Sequence, residues 1–457
     1  MTTPSDLHVT SSVLRPVPLT VSGYKHAAVG LIAASIALNR PVVLSNVPDI
    51  EDVAVLCQII RDGGGLAQLD AGVLHIDTRE FRPPVIPESL SRRVHGVLYL
   101  LPVLLGRFGA VRLRESGGCA LDGSGAGPQR PVHHMLSVLE RFGARVESRD
   151  HVIDGTAGGF HACEIDFMDY SDRADVLTGP LVSGATKTAI LAAACVRDGE
   201  TRIRNFYRKP DVTELLAFLL KAGFDVRVDG DDVTVSRCAA SDRHPVRHHL
   251  VSCLSEVMTY IALAQHCRVP LTLRGLTTER LRSGLAAELS LLNAMDVPLE
   301  WRDSELVVGP ARRLRATDIE VTSAGIYSDH QPFFALMLLR ADGPSHIREL
   351  VWKKRFSYAN ELNRLGARIV QDQNAIVVTP SSLAETGQTV VADDLRAAAV
   401  LTVAALGIPG TTIVRNAHHL ARGYPDLPSA LQRLGARVEW LPPDHLVSAE
   451  HAAPSTA

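Results

Sequence analysis

The chain has 457 residues, 46% hydrophobic, 21% charged and 5% aromatic, a globular composition with length enough for two or more full cores. A formal net charge of −3 gives no polybasic face for nucleic acid or for an anionic membrane surface. Seven cysteines, an odd number without a Cys-x-x-Cys pair, argue against a disulfide framework or a zinc site and for a reducing, cytoplasmic setting. Residues 1–13 lack a basic stretch followed by an apolar core, and no apolar run reaches membrane-span length, so neither a signal peptide nor a membrane segment is expected.

The first informative element is Val21-Ser-Gly-Tyr-Lys-His-Ala-Ala28, where Lys25 stands between a strand and an apolar helix over 27–38. A lysine at the positive end of a helix is a poor structural choice and a good one if an anion binds there; a solvated surface lysine is the alternative. Next comes a pattern that recurs to the end of the chain: an amphipathic helix, a glycine or small residue, a strand, a turn and a second strand. The copies are 59–66 with 73–77, 139–146 with 152–153, 219–226 with 233–235, 292–297 with 306–308, 362–369 with 375–378, and 431–438 with 446–447. The glycine fits the left-handed residue that ends a helix, and alternation in Ala-Arg-Val-Glu gives one apolar strand face. A spacing of roughly 70–80 residues is too long for a solenoid and suggests βαβ-type modules grouped into domains.

Between the first two copies lies Ser116-Gly-Gly-Cys119, a Gly/Pro/Ser-rich stretch, and Arg130-Pro-Val132. A thiol among glycines near a guanidinium has the setting of a reactive cysteine, on a loop that is neither helix nor strand. The polar stretch 238–249 separates three copies from three, predicting two similar α/β domains with a cleft between them. In the second half, Asp329 precedes an apolar helix over 333–339 and suits either an N-terminal cap or a general base. Arg355, Arg396 and Arg422 sit at element boundaries; each suits a surface ion pair, while together with Arg130 and Lys25 they suit a polyanion. The pairs His133-His134, His248-His249 and His418-His419 are adjacent residues that face different ways, which disfavours a metal site. The Gly123-x-Gly-x-Gly127 run is not set between a strand and a helix as a dinucleotide loop requires. Cys57 and Cys195 lie on apolar helices and read as core residues.

Taken in order, Ser22-Gly-Tyr-Lys-His-Ala-Ala28, Ser45-Asn-Val-Pro-Asp49, Gly117-Gly-Cys119, Arg130-Pro-Val132, Ser183-Gly-Ala-Thr186, Ser328-Asp-His-Gln331, Lys354-Arg-Phe356, Asp394-Leu-Arg-Ala397 and Ala421-Arg-Gly-Tyr424 resemble the enolpyruvyl transferase family. The likeness spans nearly the whole chain and is nearest to the branch acting on UDP-N-acetylglucosamine. It implies two domains, each of three βαβαββ-like units in an inverse α/β barrel, with the active site in the interdomain cleft. Residues 25–248 would form the first domain, and 1–24 with 249–457 the second. The implied reaction moves the enolpyruvyl group of phosphoenolpyruvate to a hydroxyl by addition and elimination, with no cofactor or metal. Cys119 matches the acid that protonates the methylene carbon and Asp329 the base for the hydroxyl. Lys25, Arg130, Arg396 and Arg422 match the cations that hold phosphoenolpyruvate, Lys25 being also catalytic.

The acceptor side departs from the family. His26, Arg93, Pro131, Val132, His133, His134, Ser183, Gly184, Asp329 and Arg355 occupy it. The family's Lys-Asn is here Lys25-His26, and its Arg-Pro-Val-Asp-Leu is Arg130-Pro-Val-His133-His134. Pro180-Leu-Val182 replaces the charged and hydroxyl residues ahead of the family's Val-Gly-Ala-Thr, and the stretch between Cys119 and Arg130 is longer. The resemblance therefore implies a specialised relative using another uridine nucleotide, uridine monophosphate above all, as in nucleoside-antibiotic synthesis. UDP-N-acetylglucosamine itself, a shikimate-phosphate acceptor and a nucleotide-binding relative without turnover remain the alternatives. Oligomeric state is not legible.

Overall fold

The computed structural model describes residues 6–114, 131–237, 244–352 and 355–441. Five of the expected copies form helix plus antiparallel pair, for example Pro210–Lys221 followed by Phe224–Asp229 and Asp232–Arg237. The turn closing each helix has one left-handed residue: Gly64, Gly143, Gly223, Gly366 and Gly435 at φ 81, 92, 88, 104 and 92°, with Asp296 at 59° in the fourth copy. Aspartate tolerates that region better than most side chains do, so the turn survives without its glycine. In the sixth copy the helix Leu427–Arg433 leads to Arg437–Trp440; the strand expected at 446–447 lies outside the described residues. There the N-terminal strand Leu7–Thr10 pairs antiparallel with both Arg437–Trp440 and Thr411–Arg415.

Each unit also supplies an inner helix whose residues are apolar nearly all round, the pattern of a fully buried helix. Lys25–Leu38, Leu100–Phe108 and Val182–Ala193 pack on one another in the first half. Leu254–Cys267, Gln331–Leu338 and Leu395–Leu406 do the same in the second, and every residue of the last two is buried. The sheets wrap these bundles from outside, so helices fill the place a barrel usually gives to strands. Among the described residues five sheets have four strands and one has three. Each four-stranded sheet joins one parallel edge strand to an antiparallel set, as Val246–His249 joins Val42–Ser45. That last pairing revises the reading of 238–249 as a polar separator, because 246–249 completes a sheet of the first half.

Two hydrophobic cores result, one within 28–250, the other combining 7–27 with 251–438. The chain passes between them twice, and the two passages run side by side. Tyr24 N donates to Val251 O at 2.8 Å and Cys253 N to Ser22 O at 2.7 Å. Gly23 lies within this crossing, and a Cβ there would overlap the Asn46 carbonyl, so the backbones approach too closely for any side chain. No helix among the described residues is long and apolar enough to cross a membrane.

Candidate active site

The inner helices begin at the cleft between the cores. Lys25 is the first residue of Lys25–Leu38, Arg396 the second of Leu395–Leu406, Ser183 and Gly184 open Val182–Ala193, and Asp329 stands just ahead of Gln331–Leu338. All five line one cavity, so the positive ends of four helices point to the same space. Its lining includes six cations, Lys25, Lys187, Lys209, Arg355, Arg396 and Arg422, against four carboxylates, Asp52, Asp211, Asp329 and Asp394. A chain with a net charge of −3 thus concentrates positive charge where a polyanion would bind.

Both oxygens of Asp329 are engaged. Oδ1 accepts from Arg355 Nη2 at 2.6 Å, and Oδ2 from Arg396 Nη2 at 2.9 Å and Nε at 3.0 Å. Burial pushes this carboxyl up, but Arg355 and Arg396 outweigh it and hold it well below the usual carboxylate range. Asp329 is not the cap of the following helix; that position falls to His330, whose imidazole bonds Glu288 and Ser255 instead. The capping carboxylate nearby is Asp394, which accepts from the Arg396 and Ala397 amides. Arg396 also donates to Tyr424 Oη at 3.1 Å, and Arg355 to Ser328 Oγ at 2.9 Å. On the facing wall Asp52 lies between Lys25 Nζ at 3.1 Å and Arg422 Nε at 3.7 Å. These four cations are at least nine-tenths buried, so none of them is a solvated surface charge.

His26 bonds Tyr24 Oη at 3.0 Å, and burial holds its pKa well below the ordinary histidine value. His134 is buried against Gly184, where a Cβ would overlap its Nε2; burial, aided by His133, lowers its pKa to about 3. Both rings are therefore neutral at physiological pH. Lys187 pairs with Asp211 at 2.7 Å, and Ser183 Oγ donates to the same carboxylate at 3.4 Å.

Of the sequence-predicted residues, the cavity gathers Lys25, His26, Pro131, His134, Ser183, Gly184, Asp329, Arg355, Arg396 and Arg422. Cys119 and Arg130 lie outside the described residues. Three others are not brought to it. Arg93 is half-exposed and paired with Glu51 at 2.8 Å. Val132 is packed into the first core, and His133 faces solvent because successive helix residues point in different directions. The sequence reading missed Asp52, Lys187, Lys209, Asp211 and Asp394. Lys209 was findable: it stands directly ahead of a helix, the argument that singled out Lys25. The described cysteines are poor acids, burial raising Cys57 and Cys163 to about 11 and Cys195, Cys253 and Cys267 to about 12.

The chain thus forms a two-domain inverse α/β barrel with a cation-lined cleft. The family model described as EPSP synthase (3-phosphoshikimate 1-carboxyvinyltransferase) matches residues 17–431. The UDP-N-acetylglucosamine 1-carboxyvinyltransferase of Gloeobacter violaceus is 33% identical over 96% of this chain and 92% of its own length. The crystal structure of the enolpyruvyl transferase NikO from Streptomyces tendae superposes with a TM-score of 0.89 at 36% identity, covering 96% of this chain and 99% of that one. EPSP synthase from Acinetobacter baumannii shares the fold at 15% identity, with a TM-score of 0.71 over 95% of this chain and 100% of its own. The chain belongs to the EPSP synthase family of enolpyruvyl transferases.

Proposed function

We propose that the acceptor is a uridine nucleotide other than UDP-N-acetylglucosamine, best uridine monophosphate, and that the enzyme serves nucleoside-antibiotic synthesis in the cytoplasm. The observation that carries this reading is the rebuilt acceptor wall. Neutral His134 packs on Gly184, Pro180 lines the same cavity, and neutral His26 takes the place of the amide expected from the family pattern. Imidazoles there supply a flat face and a single hydrogen bond each, suited to a smaller nucleotide without the sugar.

In the proposed reaction, phosphoenolpyruvate binds among Lys25, Arg396 and Arg422, with Arg130 joining them. The acceptor hydroxyl oxygen attacks its C2 while Cys119 gives a proton to C3, and Asp329 receives the hydroxyl proton. The tetrahedral ketal then loses a C3 proton and phosphate, leaving the enol ether. Asp329 in its double ion pair is ionised but weakly basic. An incoming phosphoenolpyruvate gives Arg396 a second anion and returns basicity to Asp329, so base strength rises when the donor is bound.

The second reading, UDP-N-acetylglucosamine as acceptor, is favoured by the names of curated relatives at 33% and 31% identity. Phosphate release from phosphoenolpyruvate, measured with uridine monophosphate, UDP-N-acetylglucosamine or shikimate 3-phosphate, separates the readings. Turnover with uridine monophosphate supports the first. Turnover confined to UDP-N-acetylglucosamine supports the second. Release with none of them, while nucleotide still binds, supports a non-catalytic relative.

A further inference from the structure

Lys209 is the residue just ahead of the helix Pro210–Lys221, extended at φ −97° and ψ 162°, and its side chain makes no capping bond. It is 7% exposed and lines the cleft. Its ammonium rests 4.0 Å from the centroid of the Tyr327 ring and 5.8 Å from that of Tyr207. Among the described residues no carboxylate lies within ion-pair distance of it. Burial draws its pKa down to about 8, against the pull of Glu288, Asp211, Glu349 and Asp329.

Each of those four carboxylates is committed elsewhere. Glu288 accepts from the Tyr327 amide and bonds His330. Asp211 pairs with Lys187, Glu349 accepts from Ser328, and Asp329 is held by its two arginines. On the same cavity lining, Tyr327 Oη and His134 Nδ1 are buried without a hydrogen-bond partner among the described residues. A lysine in this place therefore meets three costs: burial, the positive end of a helix and no carboxylate of its own. An anion arriving from solution supplies the missing partner and offsets the other two.

Two substrates bring anions to this cleft. Lys25 and Arg422 share Asp52, and Arg396 shares Asp329, on the side assigned to phosphoenolpyruvate. Lys209 instead stands two residues before Asp211, which joins Lys187 to Ser183 at the start of the acceptor-side helix. We propose that Lys209 binds the phosphate of the acceptor rather than that of phosphoenolpyruvate. The assignment rests on the acceptor being phosphorylated, as in the reading above.

The test is steady-state kinetics of the wild type and of Lys209→Gln, Lys209→Met and Lys209→Arg, with uridine monophosphate and with uridine. The glutamine and methionine variants should raise the uridine monophosphate KM about 10- to 100-fold, the worth of one charged hydrogen bond. They should raise the phosphoenolpyruvate KM far less and erase the preference over uridine; Lys209→Arg should restore most of it. A rise falling on phosphoenolpyruvate, an equal rise for uridine, or no rise overturns the assignment. Methionine keeps the aliphatic stem against Tyr327, so a folding loss confined to glutamine leaves the test standing. A wild type that ignores uridine monophosphate refutes the acceptor reading alone. Lys209 is then judged on the phosphorylated acceptor that does turn over, where an unchanged KM for that acceptor overturns it.

Discussion

Asp329 shows how one carboxylate sets the state of its neighbours. It holds Arg355 and Arg396 in place and is itself kept ionised by them. Asp329→Asn should lower kcat by about 10²- to 10⁴-fold, the usual worth of a general base, with a much smaller change in phosphoenolpyruvate KM. Unchanged kcat in a stopped assay would leave it an arginine clamp only. Because its folded-state pKa lies below the ordinary 3.8, its contribution to stability is full above that value and is lost as pH falls further. Thermal midpoints below about pH 4 should therefore fall less steeply in Asp329→Asn than in the wild type. His134 works in the same direction at milder pH. Its pKa drops from 6.5 to about 3 on folding, so its stabilisation fades as pH falls below 6.5. His134→Leu should flatten the decline in thermal midpoint between those two values; an unaltered slope would contradict the buried neutral ring. Cys119→Ser should lose most activity and resist fosfomycin, a thiol-directed epoxide; full activity in that variant would remove the thiol from the reaction. At this scale the sequence was most readable where a motif carries chemistry. It was least readable where burial decides, since nothing in Arg93 or His133 alone says that it faces away from the cleft.

At the scale of elements, the inner helices have two parts: apolar bodies that fill the cores and polar first turns that furnish the site. Their long apolar runs were legible, as were the turns after the outer helices, because glycine at the left-handed position is a local requirement. The pairing of Leu7–Thr10 with the last unit was not, since it joins residues more than four hundred positions apart. Nor was the use of Val246–His249 as a sheet edge, because four residues with two histidines look like a linker until Val42–Ser45 is placed beside them. Gly184 ties two elements together by allowing the His134 ring to sit on a helix start. Gly184→Ala should cost about 1–3 kcal/mol from overpacking and raise the acceptor KM more than that of phosphoenolpyruvate. Equal stability with unchanged kinetics would mean that the ring moves aside freely.

For the whole molecule, two cores joined by two adjacent chain crossings make a cleft whose walls belong to different bodies. Asp52 comes from one half, Arg422, Arg396 and Asp329 from the other, and Lys25 stands at the crossing, so the Arg422–Asp52 and Lys25–Asp52 ion pairs span or border the junction. Gly23 sits in the crossing itself; Gly23→Ala should be severely destabilising, because the obstructing atom is backbone and cannot swing away. A normal thermal midpoint in that variant would show that the crossing can widen. The two-domain architecture was visible in the sequence through its repeats, whereas the identity of the acceptor depends on side chains that only the folded cleft brings together. The most direct test of the central claim is a competition: limiting phosphoenolpyruvate with equimolar uridine monophosphate and UDP-N-acetylglucosamine, the products weighed by mass spectrometry. The product ratio reads the ratio of kcat/KM values without fitting either one. Enolpyruvyl uridine monophosphate as the dominant product is the predicted result; a dominant enolpyruvyl UDP-N-acetylglucosamine would contradict it.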